Sequence, residues 1–227
     1  STALGYLGLS RHRLNLTIRP EVLVKKIIFD TSGKEIKATG VEVVSGEDTY
    51  LVEGEEIILS AGAVVSPQIL MLSGIGPKDH LNDKGIEIIH HSQGVGQNLA
   101  DHPQILVTWK TKPEIDLDAL APRIQLGLRY TAKGSKLNND MIVYMMAVAS
   151  DRPERGGLRL NPIGIQMNLC INLANSKGEV KLNSGDYRDQ PYLNYNYLTD
   201  EEDRRRLRHG IRTVSYTHLT LPTSDLV

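Results

Sequence analysis

The run Glu56-Ile57-Ile58-Leu59-Ser60-Ala61-Gly62-Ala63 is an apolar strand that ends in small residues, and helix punctuation follows it at once. Ser66 predicts an N-cap, Pro67 a first helical residue, and Gly74 a stop after Gln68 to Ser73. Strand, small-residue turn and short helix together let backbone approach a ligand closely. Gly and Ala leave room, and N–H groups at a helix start attract negative charge. Upstream, residues 14–30 read as an extended segment carrying Leu16, Ile18, Val22, Val24, Ile27, Ile28 and Phe29, broken at Pro20 and closed by Thr31-Ser32-Gly33-Lys34. Residues 38–44 and 50–60 add two β-rich runs separated by Ser45-Gly46-Glu47-Asp48. The three predict a meander.

Charge and length exclude several classes of function. The 227 residues hold 26 Lys and Arg against 27 Asp and Glu, and the formal charge of -1 gives no basic field for a phosphate backbone. Arg204, Arg205, Arg206 and Arg208 are offset by Asp200, Glu201, Glu202 and Asp203 just before them, so nucleic acid is not expected as a partner. The longest mostly apolar run, Met141 to Ala149, is far short of the ~20 residues a bilayer-crossing helix needs. Cys170 is alone and flanked by Met167, Leu169 and Ile171, which suits a buried strand thiol and rules out an internal disulfide. The length allows one large domain or two small ones.

The remaining chain is mixed. Gly94-Val95-Gly96-Gln97-Asn98-Leu99 nearly spells a dinucleotide fingerprint, but Leu99 replaces the third glycine and Pro103 follows where a helix would continue, so it reads as a loop. Strands are expected over 105–110, 141–149, 165–173 and 179–182. A helix is expected over Pro122 to Ala132, from the near-helical spacing of Leu120, Ile124, Leu126 and Leu128 with Gly134 as its stop. Thr199 and Glu202 form a capping-box pattern for a last helix. His90 and His91 lack further ligands at metal spacing, and no metal site is assigned. The composition shifts near His102, where glycine-rich turns give way to longer strands.

Taken as strings, these features say more. Gly62-Ala-Val-Val-Ser-Pro-Gln-Ile-Leu-Met-Leu-Ser-Gly-Ile-Gly76 closely resembles the second signature of the glucose-methanol-choline (GMC) family of flavin-dependent alcohol oxidoreductases. Agreeing stretches occur in the same order at Asn15-Leu-Thr-Ile with Leu23-Val-Lys-Lys-Ile, Val95-Gly-Gln-Asn-Leu-Ala-Asp-His102, and Gly178-Glu-Val-Lys-Leu-Asn-Ser-Gly-Asp with Asn196-Tyr-Leu. Even Ser1 to Leu7 looks like the lead-in found among choline-dehydrogenase-like members, so the resemblance spans residues 1–212. Val214 to Val227 instead resembles the translation of a transposase-based sequencing adapter and is set apart as a non-native tail at 213–227.

The resemblance implies an α/β chain, α+β in its second half. Residues 1–102 would form part of an FAD-binding domain, and 103–212 part of a substrate domain whose antiparallel sheet carries helices on one face. It implies FAD as cofactor, with Val24 matching the strand position that meets adenine and Ser60, Ala61 and Gly62 the turn beside the adenosine part. Asn98, Asp101 and His102 match the family's NLxDH loop. Tyr144, Met146 and Gln166 fall on strands of the sheet above the flavin, where alternate side chains could line the cavity or pack in the core. No catalytic residue is assigned, because the family's base would lie beyond Arg212; a GxGxxG pyrophosphate motif is also missing, so the chain reads as the interior of a longer flavoenzyme. The expected partners are a small-molecule alcohol, choline-like among the candidates, and oxygen or a quinone- or dye-like electron acceptor. A cytoplasmic or membrane-peripheral setting is favoured. Two alternatives stay open, a hydroxynitrile-lyase-type enzyme on the same scaffold and a non-catalytic β-rich binding module. As it stands the chain is expected to expose apolar edges, to hold FAD weakly and not to turn over.

Overall fold

A computed structural model describes residues 2–117, 122, 124–150 and 162–219. The chain divides into two compact units, Ser1–Gly96 with Val180–Tyr192, and Gln97–Glu179 with Leu193–Val227.

The first unit begins with a turn of π-helix, Ala3–Leu7, that runs into α1 (Gly8–Ser10); neither buries a residue, and Leu4, Tyr6 and Leu9 are exposed. β1 (Leu23–Asp30), β2 (Lys37–Ser45) and β3 (Asp48–Glu53) then pair antiparallel in the order β1-β2-β3, the meander that their alternating pattern predicts. Between Val24 and Lys26 the register slips by one, leaving Lys25 as a bulge whose ammonium reaches the Glu42 carboxylate. The third strand is shorter than expected. Gly54 N–H closes the ladder on Thr39 carbonyl at 3.1 Å, and Ile57 to Ser60 are not in a strand, since a β-prone run becomes one only where a neighbour supplies a ladder.

Helix α2 (Gly62–Leu72) starts five residues earlier than Ser66 and Pro67 suggest. Ser66 does not cap from outside: its hydroxyl accepts the Ala61 N–H at 3.1 Å from within the first turns, and Pro67 sits inside the helix, where it supplies no N–H to the ladder. The end of α2 is where the signature becomes architecture. Ser73 accepts the Ile27 N–H at 2.8 Å and donates to the Ile69 carbonyl at 2.5 Å, tying the helix to β1. Gly74 follows at φ +84, where an added Cβ would stand 2.4 Å from the Glu87 carbonyl oxygen, so no other residue fits. β4 (Ile75–Gly76) pairs in parallel with β5 (His90–His91), and α3 (Lys78–Asp83) lies between them in sequence. His80 Nε2 accepts the Leu182 N–H at 3.0 Å, joining α3 to the 180–192 return segment.

β6 (Gln97–Leu99), β11 (Gly178–Lys181) and β12 (Tyr192–Asn194) form a small sheet, and in the second unit β7 (Gln104–Lys110), β8 (Ile124–Tyr130), β9 (Met141–Ser150) and β10 (Pro162–Ile171) form a four-stranded antiparallel sheet ordered β7-β10-β9-β8. The helix expected over 122–132 is β8. Ile124, Leu126 and Leu128 also recur with period two, and pairing with β9 selects that period; Leu120 lies outside the described residues. Helix α4 (Glu201–Leu219) covers one sheet face, closing a core of Ala132, Met141, Leu169, Ile171 and Leu207. It runs past Arg212, and Val214 is buried. Its cap is Asp200, which accepts the Glu202 N–H at 2.8 Å and the Asp203 N–H at 3.3 Å; Thr199 instead donates to the Asn196 carbonyl, and Glu202 pairs with Arg205. No helix among the described residues is long and apolar enough to cross a membrane.

Candidate functional site

In the first unit, Val24 is half-buried on β1 at the bulge, and Ser60, Ala61 and Gly62 form an exposed turn entering α2. Gly62 has φ +86 with no atom within 4 Å of where a Cβ would stand. Ile58, 79% exposed, lies just before it. The turn therefore offers open backbone, small side chains and one apolar surface to a ligand. In the same unit, a cleft of about 490 Å³ runs between β1 and residues 86–89, floored by Ser73 and Gly74 and edged by Lys25, Glu42 and Tyr187.

In the second unit, Asp101 organises the NLxDH loop. Its carboxylate accepts the His102 N–H at 2.7 Å and the Tyr197 hydroxyl at 2.8 Å, and these two bonds hold its pKa below the ordinary carboxylate value. Burial and the Asp101 hydrogen bond push the Tyr197 phenol up to about 12. His102 Nδ1 lies 3.2 Å from the Ile171 carbonyl, which requires the proton on Nδ1 and orients the ring structurally. Asn98 sits at φ +62 within β6. Cys170 is a buried thiol raised to about 11 by burial and then by Asp101, unsuited to nucleophilic work at neutral pH. Among the described residues, no group of three or more His, Cys, Asp or Glu could hold a metal ion.

The four-stranded sheet has two unlike faces. Residues opposite one another across antiparallel strands share a face, so the register puts Gln166 with Thr108 and Met146, and Asn168 with Leu106 and Tyr144, on the side away from the core that α4 closes. Gln166 Nε2 donates to Thr108 Oγ1 at 2.9 Å and Asn168 Nδ2 to Gln104 Oε1 at 2.6 Å. The Tyr144 ring lies against Gly127, where a Cβ would approach its edge atoms at 3.3 Å. Met146 is buried and Gln166 half-buried. Asn168 is 8% exposed, and its Oδ1 is buried with no partner. Period two brings Tyr144, Met146 and Gln166 together. It also points to Asn168 and Gln104, which the residue types alone did not mark.

Family models described as GMC oxidoreductase match residues 1–104 and 174–218, in that order. The chain belongs to the GMC oxidoreductase family. Among its relatives, an oxygen-dependent choline dehydrogenase of Pectobacterium carotovorum is 32% identical over 235 residues, covering 93% of this chain and 41% of that protein. Choline oxidase of Arthrobacter globiformis is 31% identical over 218 residues, covering 93% of this chain and 39% of that protein. The chain thus spans well under half the length of these relatives. Solved GMC structures share the fold. A formate oxidase superposes with a TM-score of 0.78 at 24% identity, over 91% of this chain and 44% of that one. Pyridoxine 4-oxidase gives 0.78 at 23% identity, over 96% and 43%. The mixed helix and strand architecture with antiparallel sheets is that of this GMC family.

Proposed function

We propose that this chain is part of an FAD-dependent enzyme that oxidises a primary alcohol. The family match carries the reading. Its relatives' names, choline dehydrogenase and choline oxidase, favour oxidation over a lyase or a binding module and make choline the first alcohol to try. The reading keeps 1–102 as cofactor-binding and 103–212 as substrate-binding. Val24 and the turn Ser60, Ala61 and Gly62 would hold the adenosine half of FAD. The exposed small residues and Ile58 fit a flat, uncharged ring that needs apolar contact and main-chain hydrogen bonds rather than a charged side chain. Bound FAD supplies the hydride acceptor. The chain's own part is to seat the cofactor, to orient the alcohol against the polar face of the four-stranded sheet and to keep the site's amides fixed by cross-strand hydrogen bonds. Oxygen, or a quinone- or dye-like compound, would re-oxidise the flavin.

The test is anaerobic. The FAD-loaded protein that carries this chain, expressed from its whole gene, should lose its flavin absorbance on mixing with choline or another primary alcohol and regain it on admission of oxygen or an artificial acceptor. A flavin left oxidised by every primary alcohol tried refutes the reading.

A further inference from the structure

The sheet face that carries Tyr144 has an unusual chemistry for a surface away from a core. An ordinary solvated face is lined with long charged side chains. Here the centre is a row of fixed neutral groups: Gln104 bonded to Asn168 and Thr108 bonded to Gln166, beside Tyr144 and the buried Met146. Among the described residues, the charged ones on this face are Lys110 and Arg129, both cations, placed there by their pairing with Gly164 and Ile142. Asp101, at the end of the face near Cys170, already accepts from His102 and Tyr197.

One buried atom in this row lacks a partner. Asn168 Oδ1 is buried, while its amide nitrogen is committed to Gln104. A buried polar atom left unpaired costs about 1–3 kcal/mol unless something bonds to it. The choice of ligand follows from the donor and acceptor roles. As placed, the orphan is an acceptor and calls for a donor. With both amides turned over, it is a donor and calls for an acceptor. A hydroxyl satisfies either. A quaternary ammonium, with no donor at all, satisfies neither, and among the described residues the strands of this face present it with two cations and no carboxylate.

Resting on the reading of the chain as part of an alcohol oxidoreductase, we propose that Asn168 is a specificity-determining residue, and that it selects an uncharged alcohol bearing a further hydroxyl over a choline-like cation. The hydroxyl that is not oxidised bonds Asn168. Gln104, held by the same amide, fixes the angle at which it does so.

The experiment compares glycerol, propanol and choline as substrates of the FAD-loaded protein that carries this chain, in the wild type and in Asn168→Leu, which keeps the volume and removes the hydrogen bond. The wild type should favour glycerol over both others. Asn168→Leu should lower kcat/KM for glycerol by about 10- to 100-fold, the loss expected for one hydrogen bond to a buried group, and leave propanol within about threefold. Wild-type preference for choline over glycerol overturns the inference, as does an equal loss on all three alcohols in the variant. The wild-type comparison needs no variant to fold. If choline is oxidised and glycerol is not, this inference fails while the oxidoreductase reading stands. If no alcohol reduces the flavin, the oxidoreductase reading itself fails and carries this one with it.

Discussion

Replacing Arg206 with Met should strongly destabilise the second unit. The guanidinium is fully buried and is bonded to Asp140 Oδ2 at 2.8 Å, to the Leu173 carbonyl at 2.9 Å and to Asp203, both carboxylates themselves being 0% exposed. Asp140 also accepts the Ala132 N–H at 2.9 Å and the Ser135 hydroxyl at 2.6 Å, and Asp203 the N–H groups of Asn175 and Ser176 at 2.9 and 2.8 Å. One cation therefore joins the β8–β9 connection, the 172–177 loop and α4. Three charge-assisted bonds at about 1.5–3 kcal/mol each are offset by several kcal/mol of desolvation, and removing the cation strands two buried carboxylates. The expected net loss is about 3–5 kcal/mol. That is a large share of the ~5–15 kcal/mol a domain has. Trp109, the chain's single tryptophan, lies on β7 in the affected unit, so its fluorescence during urea unfolding reports the change. The pH dependence adds a second check. Burial alone would raise both aspartates, but the bonds from Arg206 and their other donors outweigh it and hold both pKa values below 3.8. In the wild type they therefore contribute stability that is present above about pH 4 and lost as pH falls through the lowered folded values. In the variant burial is no longer opposed by Arg206, both pKa values rise and the penalty is relieved on acidification, so the difference between the two proteins should shrink below about pH 4. A loss under about 1 kcal/mol at neutral pH, or a difference that grows in acid, would refute the argument.

Gly74→Ala combines a left-handed backbone with a clash against the Glu87 carbonyl and should cost about 2 kcal/mol or more; a urea midpoint equal to wild type would contradict it. Ser73→Ala leaves the buried Ile27 N–H without its acceptor, so about 1–3 kcal/mol should be lost and hydrogen exchange at Ile27 should accelerate. Cys170, raised to about 11, should react with a thiol reagent at pH 8 far more slowly in the folded chain than in urea; equal rates would mean that the thiol is not buried.

Local pattern made much of this protein legible. The meander follows from alternation and turn residues, and Gly62 to Gly76 marks a turn and helix whose end is built from Ser73 and Gly74. The resemblance implies Val24, Ser60, Ala61 and Gly62 as cofactor contacts, a role that stays a proposal, and it sets Tyr144, Met146 and Gln166 on the sheet whose register puts them on one face. Other choices were decided only by partners distant in the chain. Ile124 and Leu128 fit a helix and a strand equally well until β9 supplies a ladder, and Ile57 to Ser60 lack one. The Arg204 to Arg208 cluster reads as a surface charge balanced by the acids before it, which is right for Arg204 and Arg205. Arg206, one residue on, is buried because α4 lays that side on the sheet, and its second carboxylate, Asp140, is 66 residues away in sequence. Asn168 is likewise an ordinary strand residue until the register sets it beside Gln104 and leaves its oxygen unpaired. Spacing along a chain fixes which side chains share a face, because the periods of strand and helix are set by backbone sterics. Which face is buried, and which charge or amide meets which, depends on elements far apart in sequence, and only the packed structure brings them together.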